Sequence, residues 1–288
     1  MILVDLSQVM ISNVMMHLKP RQSPEEDLIR HMVISSLVSY RRKFYRDYGD
    51  LIICCDDKNY WRKNIFPEYK AHRKKDREES EIDWDELFKI LHTIKAEIKE
   101  YLPYKFIQVP HAEADDVIAS LCHKFGETNP QELRVEPILI VSGDKDFVQL
   151  QKYHNVAQYS PVLKKMIVTD NPERALREHI MLGDRGDGVP NFLSPDNTFT
   201  DGLRQRPLNK KKLAEWVLEH DPVTFCTKEM LRNYQRNESL VNLDKIPMDI
   251  QTQVMNAFEK SDIPPKSGVL NYLMAHRLRD LTTKLNDF

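Results

Sequence analysis

No apolar run in this chain approaches the roughly 18 residues that a membrane-spanning helix needs, so no membrane partner is expected. The opening MILVDLSQVM lacks a basic leader and a small-residue cleavage site, so export is not expected; it reads as a strand beginning at the first residue. Cysteine is scarce. Cys54, Cys55, Cys122 and Cys226 show neither metal-type nor redox-type spacing. Cys54 and Cys55 stand side by side in an apolar run and read as small hydrophobes, which fits a reducing, cytoplasmic setting. Internal repeats and low-complexity tracts are absent as well. What remains is the composition of an ordinary globular protein, 41% hydrophobic over 288 residues, enough for one good core and a smaller attached module.

An excess of charge of either sign is also missing. The 42 basic and 44 acidic residues give a net of −2, which on its face argues against a nucleic-acid partner. The distribution argues otherwise. Nine of the acids occupy positions suited to metal ligation; set aside, they leave 35 acids against 42 bases, a net of +7. A basic surface around an acidic pit produces the same near-zero average.

The short, nearly continuous apolar runs ILV (2–4), LIICC (51–55) and ILIV (138–141) read as strands covered on both faces. Between them lie amphipathic stretches: 25–46, with Leu28, Met32, Leu37 and Phe44, and 84–101, with Trp84, Leu87, Leu91, Ile94 and Ile98. The alternation predicts an α/β fold with a mostly parallel sheet flanked by helices, because parallel crossovers need such helices. From about residue 180 helical periods such as LAEWVLEH (213–220) and VMNAFEK (254–260) take over. Gly186, Gly188, Pro190, Pro195, Gly202 and Pro207 mark 186–207 as irregular loop. Two regions are expected: an α/β core over 1–180 and a smaller helical module over 181–288.

Acidic residues follow the strands. Asp5 ends the first, Asp56 and Asp57 end the second, and Asp144 and Asp146 follow ILIV within SGDKD. In an open parallel sheet the carboxyl ends of the strands share one edge, where ligands bind, so these residues are predicted to converge. EADD adds Glu113, Asp115 and Asp116 at the start of a helical run, and GDRGD adds Asp184 and Asp187. So many like charges repel unless cations are present, and hard oxygen donors select Mg2+ or Mn2+ over zinc. A pair of such ions suits phosphodiester cleavage. Taken singly, each Asp is more simply a turn or cap residue, and EADD could merely complement a helix dipole. Asp57 reads as a neighbour or cap.

Residues 58–77, KNYWRKNIFPEYKAHRKKDR, interleave bases with Tyr60, Trp61, Phe66 and Tyr69. Charges that hold phosphates and rings that stack on bases are the pairing expected for single-stranded nucleic acid. EESEIDWDE follows at once, so a solvated helical hairpin with internal ion pairs is the plainer alternative. Lys210 and Lys211, with Arg204, Arg206 and Lys212, could grip duplex backbone from the helical module.

Taken in order, ILVDLSQ, IICCDD, WRKNIFPEYKAHRKK, HAEADDVIA, VSGDKDFVQL and GDRGDGVP resemble the motifs of the flap endonuclease and 5′-nuclease family. Within it the resemblance runs to the T-even bacteriophage ribonuclease H branch, and NLDKIP (242–247) and IPP (263–265) extend it into the last third. The resemblance implies a PIN-like core with a helical arch, here 58–86, and an atypical helix–hairpin-type duplex-binding module. By motif, Asp5, Asp56, Glu113, Asp115 and Asp116 would surround one Mg2+, and Asp144, Asp146, Asp184 and Asp187 the second, partly through waters. Lys70 and Arg73 match arch bases that contact the scissile phosphate, with Asp144 and Asp146 as their catalytic counterparts. Tyr69 would stack on a base, while Arg62, Lys63, Lys74, Lys75, Lys210 and Lys211 would line the nucleic-acid surface. The implied activity is removal of RNA primers and short DNA from 5′ ends in lagging-strand replication, with flap cleavage. The implied substrates are DNA and RNA–DNA hybrids.

Cellular members follow GD-x-x-D with a Gly-rich hairpin and Lys-Thr-Ala. Here the chain runs VPNFLSPDNTFTDGLRQRPLNKKK, so a potassium-supported duplex contact does not carry over. The final VLNYLMAHRLRDLTTKLNDF (269–288) reads as one amphipathic helix that packs on the core; phage relatives imply that it could also touch the replication single-strand DNA-binding protein. A monomer is expected. Two other readings compete: a PIN-type single-strand ribonuclease, usually shorter and with fewer acids, and a non-catalytic binding module.

Overall fold

The computed structural model describes residues 1–17, 23–129, 131–132 and 135–288. At its centre lies a sheet of β1 (Ile2–Asp5), β2 (Leu51–Cys54), β3 (Lys105–Ile107), β4 (Ile138–Val141), β5 (Val156–Ser160) and β6 (Lys165–Ile167). The order across the sheet is β3-β2-β1-β4-β5-β6. The first five strands are parallel, and β6 turns back antiparallel along β5. The chain winds outward in opposite directions from β1 and β4, so the gap between their carboxyl ends is the topological switch point where a crevice opens.

Helices fill the connections. α1 (Leu6–His17) and α2 (Glu26–Tyr48) join β1 to β2; short α3 (Arg62–Ile65) and α4 (His72–Glu78) and longer α5 (Trp84–Tyr101) join β2 to β3. α6 (Ala114–Phe125) leads to β4, and after β6 come α7 (Pro172–Leu182), α8 (Lys210–Trp216), α9 (Lys228–Val241), α10 (Met248–Lys260), α11 (Val269–Ala275) and α12 (Arg279–Thr282). Among the described residues no helix is long and apolar enough to cross a membrane.

Alternation along each strand builds two cores at once. Ile2, Val4, Leu51, Ile53, Leu139 and Val141 face one side, packed under α1, α2 and α5. Leu3, Ile52, Cys54, Ile138 and Ile140 face the other, under α6. The continuous apolar runs are explained by this double burial. Each fully buried aliphatic side chain contributes about 1.5–3 kcal/mol, so the strand ends form a fixed platform. Cys54, Cys55 and Cys122 are buried free thiols within these cores, the role their neighbours implied.

α5 spans the predicted residues, capped by Asp83, which accepts the Glu86 N–H at 3.0 Å, and buries Leu87, Leu91, Ile94 and Ile98. α2 forms where predicted, but its buried stripe is Ile29, Val33, Ile34, Leu37, Val38 and Phe44, and Leu28 is 45% exposed. The apolar positions of α2 admit two phases, and packing on the sheet selects the β-branched one.

Beyond residue 180, α7, α8 and α9 share a small core around Phe192, Leu213, Val217 and Tyr234. The last third serves the sheet instead: Leu243, Ile246, Ile250 and Val254 cover the α6 face, while Val269, Tyr272, Leu273, Leu278, Leu281 and Phe288 join the α2 face. The segment 269–288 is not one helix. α11 stops at Ala275, Arg277 takes a left-handed φ of 55°, and α12 follows as a separate short helix. The core-packing role predicted for the segment holds even though its helix is broken.

Candidate active site

Four stretches of chain bring carboxylates to the crevice. Asp5 is the last residue of β1; it accepts the Gln8 N–H at 3.0 Å and lies 3.4 Å from the Ser142 hydroxyl. Asp56 follows β2 and accepts the N–H of Ala114, the first residue of α6, at 2.8 Å. Asp115 lies in the first turn of α6, and Asp144 caps the 3-10 turn after β4, accepting the Asp146 N–H at 3.0 Å. Burial pushes the Asp5 carboxyl up to about 7, with Asp56 and Asp144 adding to the rise. Burial also raises Asp115, and Asp144, Asp5 and Glu113 repel its charge further. These mutual repulsions place Asp5, Asp56, Asp115 and Asp144 in one volume, as the strand-end reading predicts.

Asp184 and Asp187 sit on a tight loop closed by paired backbone bonds between Asp184 and Val189, at 2.8 and 2.7 Å. Burial, then the charges of Asp144, Asp187 and Asp184, raise Asp146 well above the carboxylate range, so both clusters meet across it. Burial would raise Asp184 too, but hydrogen bonds from His179 and Lys145 outweigh it and hold it low. The donors are predominantly carboxylate oxygens, several of them too crowded to ionise together without a counter-charge. Such a set fits hard divalent cations.

Asp116 does not belong to that set. It is fully buried; Oδ2 accepts the Glu113 N–H at 2.8 Å, the Trp61 indole N–H at 3.0 Å and an Arg62 N–H at 3.0 Å, while Oδ1 lies 2.8 Å from the Arg62 guanidinium in an ion pair that is not a hydrogen bond. The capping alternative for EADD describes this residue: Asp116 closes the first turn of α6 with Oδ2 and is ion-paired to Arg62 through Oδ1. Arg62 is likewise corrected. Predicted on the nucleic-acid surface, it is 2% exposed and pairs with Glu113 at 2.9 Å and with Asp116, beneath the pit. Tyr69, predicted to stack on a base, is 2% exposed, with its hydroxyl 2.7 Å from Asp187 and 3.0 Å from Glu113. Burial and those two carboxylates push the phenol far up, so it stays an O–H donor.

Lys70 and Arg73 do reach the pit. Lys70 pairs with Glu113 and lies 3.5 Å from Asp187, while its N–H donates to the Asp187 carbonyl at 2.8 Å. Burial works against its charge, but Glu113 and Asp187 more than compensate and raise its pKa. Arg73 donates to Asp187 at 2.7 Å and to the Gly186 carbonyl at 2.9 Å. Lys63, Lys74, Lys75, Lys210 and Lys211 are exposed. Lys74 and Lys75 stand 3.9 and 3.8 Å from Glu78 and Glu79, loose helix pairs of the kind the hairpin alternative describes and worth only about 0.3–0.5 kcal/mol each.

Sequence reasoning missed several members. Trp61 was read as a stacking ring and instead fixes Asp116. Lys145, inside SGDKD, pairs with Asp184 at 3.0 Å, and its place between two ligand candidates was a usable signal. His179 bridges Asp146 and Asp184, and nothing in its α7 neighbourhood announces that. Asp57, read as a cap, accepts the His111 N–H at 2.9 Å.

Known proteins share this arrangement of chain and fold. Residues 1–179 match the family described as 5′-3′ exonuclease, N-terminal resolvase-like domain, and residues 170–288 match that described as T4 RNase H, C terminal. The ribonuclease H of Enterobacteria phage T4 is 30% identical over 295 residues, covering 99% of this chain and 95% of its own. A 5′-3′ exonuclease of Buchnera aphidicola subsp. Schizaphis graminum is 29% identical over 239 residues, 77% of either chain. In fold, a bacteriophage T5 flap endonuclease, solved as a pseudo-enzyme–product complex with DNA and metal ions, is similar with a TM-score of 0.64 at 15% identity, covering 90% of this chain and 99% of that one. The T5 protein co-crystallized with metal ions gives 0.63 at 16% identity, over 90% and 98%. By sequence over its whole length, this chain belongs to the 5′-3′ exonuclease family, with the C-terminal region of the phage T4 ribonuclease H type.

Proposed function

We propose that this protein is a structure-specific 5′-nuclease that hydrolyses phosphodiester bonds with two Mg2+ ions, for which Mn2+ can substitute. The observation that carries the reading is the convergence of carboxylates from separate strand ends with Lys70 and Arg73 in the same pit. Asp5, Asp56 and Asp115 would hold one ion, with Glu113 reaching it through water; Asp144, Asp146, Asp184 and Asp187 would hold the other. When bound, the ions supply an activated water and neutralise charge on the leaving oxygen.

The protein's own residues bind and orient. Lys70 and Arg73, now paired with Glu113 and Asp187, are placed to transfer their charge to a phosphate that enters between them, where it stabilises the transition state more than the ground state. Arg62, Asp116, Trp61 and Tyr69 keep Glu113 and Asp187 in position from below. Lys63, Lys74 and Lys75 would track a single strand, and Lys210 and Lys211 the duplex. DNA and RNA–DNA hybrids with 5′ ends, flaps or forks are the substrates of this reading, and removal of RNA primers and short DNA during lagging-strand replication is its role. The protein would act as a monomer in the host-cell cytoplasm. The exposed side of 269–288, with Leu270 and Met274, is the surface offered to the replication single-strand DNA-binding protein.

Digestion of a 5′-labelled flap and of an RNA–DNA primer hybrid, with and without Mg2+, tests the reaction class. Asp144→Ala is expected to abolish cleavage and retain DNA binding; unchanged cleavage would remove this pit as the active site. A preference for unstructured single-stranded RNA would favour the PIN-type ribonuclease instead.

A further inference from the structure

We infer that His179 is a nitrogen ligand of the second ion, so that this half of the pit prefers Mn2+ over Mg2+. The inference rests on the nuclease reading of the same pit and goes beyond it in chemistry. His179 projects from α7 with its side chain only 10% exposed, and Asp146, His179 and Asp184 bring one donor atom each within 4.8 Å of one another.

The hydrogen-bond inventory points to a cation. A neutral imidazole has one N–H and one lone pair. Its Nε2 lies 3.2 Å from Asp184 Oδ2, whose other neighbour is the Lys145 ammonium at 3.0 Å. Donation from Nε2–H to Asp184 fixes the tautomer and leaves the lone pair on Nδ1. Nδ1 lies 3.1 Å from Asp146 Oδ1, off the axis of a hydrogen bond, and Asp146 Oδ1 is a buried oxygen with no hydrogen-bond partner. Two potential donor atoms this close with no hydrogen bond between them, aimed at a common point, suit a cation that both can ligate.

The spacing suits that occupant. Two donors on adjacent corners of an octahedral ion, each about 2.1 Å away, stand about 3 Å apart. The carboxylate that orients the far nitrogen is the usual outer partner of a metal-bound histidine, and Asp184 supplies it through Oδ2, so that Asp184 would reach the ion through water rather than directly. Imidazole nitrogen is a poor partner for Mg2+ and a better one for first-row transition ions, so its presence shifts selectivity rather than mere affinity.

The test uses the full-length wild-type protein loaded with Mn2+ and read by pulsed electron paramagnetic resonance. A directly bound imidazole gives a nitrogen coupling that changes when the histidines carry 15N, and His179→Gln is expected to abolish it. By calorimetry, His179→Gln is expected to weaken the more affected Mn2+ site by about tenfold or more and Mg2+ by less than about threefold. No nitrogen coupling in the wild type, or equal losses for both ions, overturns the inference and makes His179 a doubly protonated bridge between two acids. Should that happen while Mg2+ still supports flap cleavage, only the inference falls. Failure of any divalent ion to bind takes the nuclease reading with it. If His179→Gln does not fold, the 15N comparison on the wild type decides alone.

Discussion

Lys70 adopts a left-handed φ of 58°, a conformation that costs a residue with a Cβ about 1–2 kcal/mol. Its bonds to Glu113 and Asp187 offset that strain and hold the ammonium where a phosphate would be handled. Lys70→Ala is therefore expected to slow single-turnover cleavage about a hundredfold while changing DNA affinity far less, and normal single-turnover rates would end its catalytic assignment. Arg62 acts differently. Removing it leaves Asp116 buried with no cation beside it, while Glu113 keeps Lys70, so Arg62→Ala should cost about 3–5 kcal/mol in denaturant unfolding. A loss below about 1 kcal/mol would show those acids to be neutral or solvated. Asp5, Asp56, Asp144 and Asp146 were legible because a strand end marks each of their positions. Arg62 and Tyr69 were misread because a basic, aromatic run looks the same whether it faces solvent or closes over carboxylates that arrive from 113–116 and 187.

At the scale of elements, the loop at 184–189 and the arch hold each other. Gly188 has φ 73°, and a Cβ there would stand 2.8 Å from His72 Nδ1 and 3.1 Å from the Glu68 carbonyl. Gly188→Ala is expected to cost at least about 1 kcal/mol and to speed limited proteolysis across 66–78; an unchanged digestion pattern would mean that the two segments move independently. Glu97 ties α2, α5 and α11 together, bonding Arg30 at 2.7 and 2.9 Å and Tyr272 at 2.8 Å. Burial alone would raise Glu97, but the bonds from Arg30 and Tyr272 outweigh it and hold it below its ordinary 4.5. A carboxyl depressed in this way stabilises the fold above its unfolded value, and the gain is lost as pH falls through the lower folded one. Stability should thus decline below about pH 4.5, and Glu97→Gln should lower the neutral-pH value and flatten that decline in pH-dependent unfolding. α5 was legible because its apolar period and Asp83 cap agree. The break in 269–288 was not, since it depends on how Tyr272 and Leu278 meet α2 and α5 rather than on any local signal.

For the whole molecule, binding of nucleic acid and of metal should be separable. Replacing Lys74, Lys75, Lys210 and Lys211 together is expected to reduce the salt dependence of DNA binding, and a preserved slope would remove these exposed lysines from the interface. Mg2+ should raise the melting temperature of the protein, because it relieves repulsion present only in the folded pit. The α/β class and the converging strand ends were readable from three apolar runs. β3 and β6 were not, for they are short strands at the two edges, and β5 was not, for its buried Gln158 and Ser160 break the apolar run that marks the other inner strands. β1 is the hub: it hydrogen-bonds β2 along 51–54 and β4 along 139–141, and segments as distant as 269–288 cover its face. While the polypeptide is still being synthesised, Asp5 therefore waits on partners more than a hundred residues downstream. Until β4 docks, Asp144 and Asp146 cannot join Asp5 and Asp56, and the carboxylate cluster is incomplete. The wiring that completes the site thus ties its assembly to the folding of the whole sheet.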